Sequence, residues 1–101
     1  MKELIENVRN WGFDRGITLN SDSKTQFLKL VEETGELGAA IARGRRADLL
    51  DALGDILVVA IMIAEIEGTS LEETLETAWA EIKDRRGYLR PDGIFVKESD
   101  Q

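Results

Sequence analysis

The sequence predicts an all-α fold, a bundle of four main helices followed by a short C-terminal extended flap or hairpin. Three observations carry the expectation. Apolar residues recur three and four apart through most of the chain, which is the helical period. Serine-led capping signals and glycines punctuate that pattern at helix-length intervals. The link Gly44-Arg45-Arg46-Ala47 is short, which favours antiparallel packing of the two helices it joins.

Taken in order, Leu4, Ile5, Val8 and Trp11 line one face of a first helix over about 2–11, and Thr18 to Ser23 reads as a polar loop. Ser23 with Gln26 three residues on fits a capping box for the second helix. That helix turns Phe27, Leu30, Val31, Leu37, Ala40 and Ile41 inward and ends near Arg43-Gly44. Gly35 and Gly38 inside it each cost about 1 kcal/mol against alanine, so a close helix approach or a ligand against the backbone is expected there. The third helix is expected from Asp48 to Glu67, with Gly68 as its stop. Its second half, Ile56 to Ala64, is apolar on every side. Such a helix is buried all round, and a bundle this small can hardly do that alone. A homodimer or homotetramer with this helix in the interface follows. Ser70 and Glu73 form a second capping box for the fourth helix, which carries Leu71, Leu75, Ala78, Trp79 and Ile82 until Gly87 stops it. Tyr88-Leu89-Arg90, a Pro91-Asp92-Gly93 turn and Ile94-Phe95-Val96 then read as the flap.

Composition narrows the chemistry. One hundred and one residues suit a single domain spanning 1–101. Thirteen Lys and Arg against twenty Asp and Glu give a net charge of −7, which disfavours binding to a nucleic-acid polymer. Cysteine and histidine are both absent. Thiolate chemistry, His-ligated zinc, Ser-His and Cys-His nucleophiles and the His-containing di-iron bundle are thereby excluded. The chain opens without an apolar targeting segment, and its longest apolar run is too short to span a membrane. A soluble, cytoplasmic protein is expected.

What remains is carboxylate chemistry, concentrated in two acidic turns. Glu32-Glu33-Thr34-Gly35-Glu36 lies on the second helix and Asp51-Ala52-Leu53-Gly54-Asp55 on the third. Glu33 shares a helix face with Glu36, and Asp51 with Asp55. Antiparallel pairing would converge four or five carboxylates on one spot, where like charges need a cation. Oxygen-only ligands favour Mg²⁺, with Mn²⁺ as a substitute. Asp55 is the most telling residue, because it opens the apolar run and its carboxylate should be desolvated. Its partner is either a structural cation, Arg46 or Lys29, or a metal shared with Glu33 and Glu36. Exposed acidic pairs are common on helix surfaces, so each turn alone is weak evidence.

These turns resemble the MazG-like, all-α NTP pyrophosphohydrolase superfamily, whose signature is Glu-Glu-x-x-Glu followed at a distance by Glu-x-x-Asp. Glu32 to Glu36 match the first half, and Leu53-Gly54-Asp55 match the end of the second. Ala52 stands where the second glutamate is expected, and Asp51 beside it is placed to supply the missing oxygen. The resemblance runs from about Leu4 to Glu98. It includes Trp11 to Ile17, Gln26 to Glu33, Lys83 to Gly87 and Asp92 to Glu98, and is strongest to compact, often phage-borne members.

The resemblance implies hydrolysis of a nucleoside triphosphate to monophosphate and pyrophosphate. Glu33, Glu36, Asp51 and Asp55 would hold Mg²⁺. Glu32 would bind a further ion or orient the attacking water. Lys83 and Arg86 would meet developing phosphate charge, with Lys97 behind them. Both also suit the last turn of a helix, where cations complement the dipole. Trp11, Phe27 and Trp79 are candidate walls for the base, although their spacing favours the core. Gln26 could read a base edge, and Lys29, on the same helix as the acidic turn, is a further candidate for substrate contact. Arg43, Arg45 and Arg46 read as solvated. A non-catalytic dimerisation or nucleotide-sensing module with a weakened metal site is the alternative, and Ala52 is its support.

Overall fold

The computed structural model describes residues 1–98 and is helical over most of its length. Its elements are α1 (Lys2–Asp14), α2 (Ile17–Asn20), α3 (Ser23–Arg43), α4 (Arg46–Ile66), α5 (Leu71–Ile82), β1 (Gly87–Leu89) and β2 (Phe95–Lys97). The chain divides into two compact units, Met1–Leu71 and the part from Glu72 onward.

In the first unit α4 is the central helix, and α1, α2 and α3 all pack on it. The buried apolar residues are Ala40 of α3 and Ala52, Val59, Ile61, Met62 and Ala64 of α4. The chain therefore encloses the apolar run of α4 more completely than its composition suggested. Between Ile56 and Ala64, Leu57 alone is exposed. The argument that this run needs a second copy to cover it is corrected by that finding: three neighbouring helices already do most of the covering.

Exposed apolar residues lie elsewhere. Phe27, Val31 and Ile41 of α3, expected inside, are exposed, as are Trp11 and Trp79. On α4, Leu50, Leu53 and Leu57 form an exposed stripe at helical spacing. Gly35 and Gly38 do not mark a close helix approach, since a Cβ at either would meet nothing within 4 Å. The tight approach is at Gly12, the buried residue of α1. A Cβ there would stand 2.6 Å from Cε of Met62, and closer still to its Sδ.

Helix ends also depart from expectation. The loop before α3 contains the short helix α2, which starts behind Gly16 at φ 79°. The α3 cap is Asp22, not Ser23, and its carboxylate accepts from the Thr25 N–H at 2.7 Å. Gln26 is not part of a capping box; its Nε2 donates to Ser21 Oγ at 3.1 Å. Ser23 instead reaches Glu67 beyond the end of α4, while Arg9 Nε of α1 donates to Glu65 of α4 at 2.8 Å. Gly44, at φ 65°, ends α3, and α4 begins at Arg46, two residues earlier than expected.

In the second unit α5 stops at Ile82, not at Gly87. Gly87 instead opens β1, which pairs antiparallel with β2 in the register Gly87↔Lys97, Tyr88↔Val96 and Leu89↔Phe95. A Cβ at Gly87 would collide with the Val96 carbonyl oxygen and the Phe95 ring, so the register admits only glycine there. The turn is held by Asp92, whose carboxylate accepts from the Ile94 N–H at 3.2 Å and pairs with Arg90 at 2.6 Å. Of the expected extended flap or hairpin, the chain thus forms the hairpin.

Gly12→Ala should cost no more than about 1 kcal/mol, because the atoms its methyl would meet are the flexible thioether end of Met62, which borders open space, and alanine's better helix propensity offsets part of the displacement. Adding Met62→Leu, which removes the colliding thioether end, should recover part of the loss. Urea denaturation of the two variants measures both effects.

Candidate metal centre

The site follows from the α3–α4 hairpin. Only Gly44 and Arg45 separate the two helices, so the chain must reverse. At 1.5 Å per residue, Glu36 lies about 12 Å from the turn along α3 and Asp55 about 15 Å along α4. Reversal thus brings the two acidic turns level. One carboxylate oxygen each from Glu33, Glu36 and Asp55 lies within 4.8 Å of the others.

Burial deepens the conflict. Glu33 is 5% exposed, although it is a carboxylate. Among the described residues its Oε2 is buried without a hydrogen-bond partner, while Oε1 stands 3.5 Å from Lys29 Nζ. Burial, and then the neighbouring Glu36, raise the Glu33 carboxyl above its ordinary range; Lys29 opposes the shift. Asp55 is raised by burial first, then by the charges of Asp51 and Glu33. Lys29 is raised in turn, chiefly by Glu32.

Lys29 thus serves as a structural cation, but one ammonium placed 3.5 Å from both Glu32 and Glu33 does not satisfy three crowded carboxylates. Arg46 makes no ion pair with Asp55 among the described residues. The donor set suits a hard divalent cation: three carboxylates, one of them with an orphaned buried oxygen. Asp51 is exposed and outside this triad, yet near enough to act on Asp55 by charge. Ala52 is 2% exposed, so the position expected to carry a glutamate is instead part of the packed core.

Beside the triad is a cavity of about 450 Å³ lined by Trp11, Gln26, Lys29, Glu32, Val58 and Met62, among others. Three residues singled out for substrate contact, Trp11, Gln26 and Lys29, therefore share one space with Glu32. The guanidinium of Arg15 stacks 4.6 Å from the centroid of the Trp11 ring. Lys83, Arg86 and Lys97 belong to the second unit. Lys83 and Arg86 lie past the end of α5, not in its last turn. Arg86 and Lys97 line a cavity of about 520 Å³ with Glu81, Asp84, Arg85 and Glu98. Arg86 Nε is 3.8 Å from Glu98.

Arg43 and Arg45 were not expected at a site, yet both line a cavity that also contains Glu36. The signal was present in the spacing. Positions 36, 40 and 43 repeat at helical intervals, which puts Arg43 on the face of Glu36.

A helical hairpin that gathers three carboxylates, one of them buried, into a set that could hold a divalent cation defines the general class. Residues 21–89 match the MazG nucleotide pyrophosphohydrolase domain, and the chain belongs to that family. It is 35% identical over 65 residues to an uncharacterised 18.2 kDa protein from the rep–hol intergenic region of Haemophilus phage HP1 (strain HP1c1). The match takes in 64% of this chain but 40% of the phage protein, so it spans well under half of that relative. No solved structure matches significantly. Among the described residues no helix is long and apolar enough to cross a membrane.

Because the Glu33 and Asp55 carboxyls are raised, the folded metal-free chain holds protons more tightly than the unfolded one. Its stability should therefore fall as pH rises through the raised range, and the penalty should vanish below the ordinary carboxylate value. Glu33→Gln should melt higher than the parent in EDTA at neutral pH. Mg²⁺ should raise the melting temperature of the parent and leave that of Glu33→Gln nearly unchanged. Thermal melts across pH, with and without the ion, measure all three.

Proposed function

We propose that the protein hydrolyses a nucleoside or deoxynucleoside triphosphate to the monophosphate and pyrophosphate, with Mg²⁺ as its ion and Mn²⁺ as a substitute. The observation that carries this reading is the triad Glu33, Glu36 and Asp55, with its orphaned oxygen, inside a nucleotide pyrophosphohydrolase domain. These three residues would hold the ion, and Asp51 adds negative charge one turn away. When bound, the ion neutralises phosphate oxygens and so makes their phosphorus easier to attack.

The chain's own residues supply the rest. Glu32 is exposed, one residue from the triad and tethered to Lys29. It is assigned the proton released by the attacking water as the bridge between the α- and β-phosphates breaks. Trp11 and the apolar side of its cavity receive the nucleoside. Gln26, whose Nε2 is engaged by Ser21, offers its carbonyl oxygen to a base edge. Lys83, Arg86 and Lys97 are proposed as further phosphate contacts. The exposed stripe Leu50, Leu53 and Leu57 and the open faces of Gly35 and Gly38 support a homodimer or homotetramer. The reading is of a cytoplasmic enzyme clearing unwanted nucleotides.

Turnover of a panel of standard and modified nucleoside triphosphates, with pyrophosphate resolved from orthophosphate, tests the reading. Pyrophosphate and monophosphate should appear in equal amounts, disappear in EDTA, and fall at least a hundredfold with Asp55→Ala. The buried Ala52 favours a second reading, a nucleotide-sensing module. Nucleotide-raised melting without turnover would select it.

A further inference from the structure

At the turn end of the α3–α4 hairpin is a cavity of about 310 Å³ lined by Glu36, Ala39, Ala40, Arg43, Arg45 and Asp48. Glu36 belongs both to this cavity and to the acidic triad, so an ion held by the triad borders the inner end of the space. The outer end carries two guanidinium groups. Helical side chains lean toward the helix N-terminus, which tilts Arg43 from the last turn of α3 back along the groove toward Glu36. Arg45 enters from the link. Neither arginine makes a side-chain hydrogen bond or ion pair among the described residues, although two carboxylates line the same space. Ala39 and Ala40 contribute only methyl groups and leave the room open.

The nucleoside cavity lies on the opposite side of the triad along α3. It draws on residues 25–32, whereas this one draws on 36–48. An extended triphosphate with its nucleoside in the first space would therefore direct its far phosphates into the second. We propose that Arg43 and Arg45 bind the β- and γ-phosphates of the substrate and hold the pyrophosphate product. The proposal rests on the pyrophosphohydrolase reading. It also sets the direction of the substrate along the hairpin, from Trp11 toward the Gly44 turn.

Two unpaired arginines also suit ordinary solvation, and a cation in the last turn of α3 favours the helix dipole. Arg46 separates these explanations, because it carries the same charge beside the same turn but does not line the cavity. Arg43→Gln, Arg45→Gln and the double variant should each weaken inhibition by pyrophosphate and raise KM for the triphosphate. About tenfold or more per arginine is expected for a hydrogen bond to a charged group. Inhibition by the nucleoside monophosphate should stay at the parent value, and Arg46→Gln should behave as the parent throughout. Equal effects in Arg46→Gln, no effect in the double variant, or an equal loss against the monophosphate would each overturn the proposal. Should the parent show no turnover, the hydrolase reading fails by itself. Calorimetric titration of the parent and the double variant with pyrophosphate in Mg²⁺ then decides the arginines. Weaker binding by the double variant keeps the anion site, and equal binding, or none to either protein, removes it.

Discussion

Three carboxylates within a few ångströms, one of them almost wholly buried, are the constraint on which the structure turns. Helices α3 and α4 gain by burying the apolar faces between them. Doing so forces Glu33 into a place where its charge is poorly solvated and one of its oxygens has no partner among the described residues. Packing and electrostatics are therefore opposed at the same contact. A protein selected for stability alone would place an apolar or amide side chain at that position. The acid there, eased only in part by Lys29, suits a site that could hold a divalent cation.

Around that contact the first unit is arranged in tiers. Met62 packs against Gly12 and fixes α1 to the far half of α4. The Arg9–Glu65 pair and the Ser23–Glu67 hydrogen bond tie α1 and α3 to the same end of α4. The Gly44 turn closes the opposite end. The acidic triad lies between these two fixed ends, with a cavity on each side of it along α3. Rigid supports at both ends hold a middle section that charge repulsion alone would push apart.

Much of this was legible in the sequence. The helical period and the short Gly-Arg link placed α3 and α4 and made their pairing antiparallel, and from that alone Glu33, Glu36 and Asp55 converge. Burial side was less legible. Phe27, Val31 and Ile41 look inward because they are large and apolar, but which face of α3 meets α4 depends on helix rotation. That rotation is set by small residues such as Ala40 and Ala52, which carry little hydrophobic signal. Capping was misplaced for a similar local reason. Asp22, Ser23 and Ser21 all have suitable oxygens, and only backbone geometry decides that Asp22 receives the Thr25 N–H. The end of α5 was hidden because Lys83 to Arg86 contain no helix breaker, while the demand of the hairpin register falls on Gly87.

The two-residue turn between α3 and α4 has a consequence for how such a chain can change length. One residue inserted into either arm between an acidic turn and Gly44 would rotate the carboxylates beyond it by about 100° and move them about 1.5 Å along the axis. The groups would then no longer face each other. Two helical turns, about seven residues, restore the facing to within roughly 20°. The axial level is restored only if the other arm grows by the same amount. Tolerated insertions in this hairpin should therefore be paired and come in steps of about a heptad per arm.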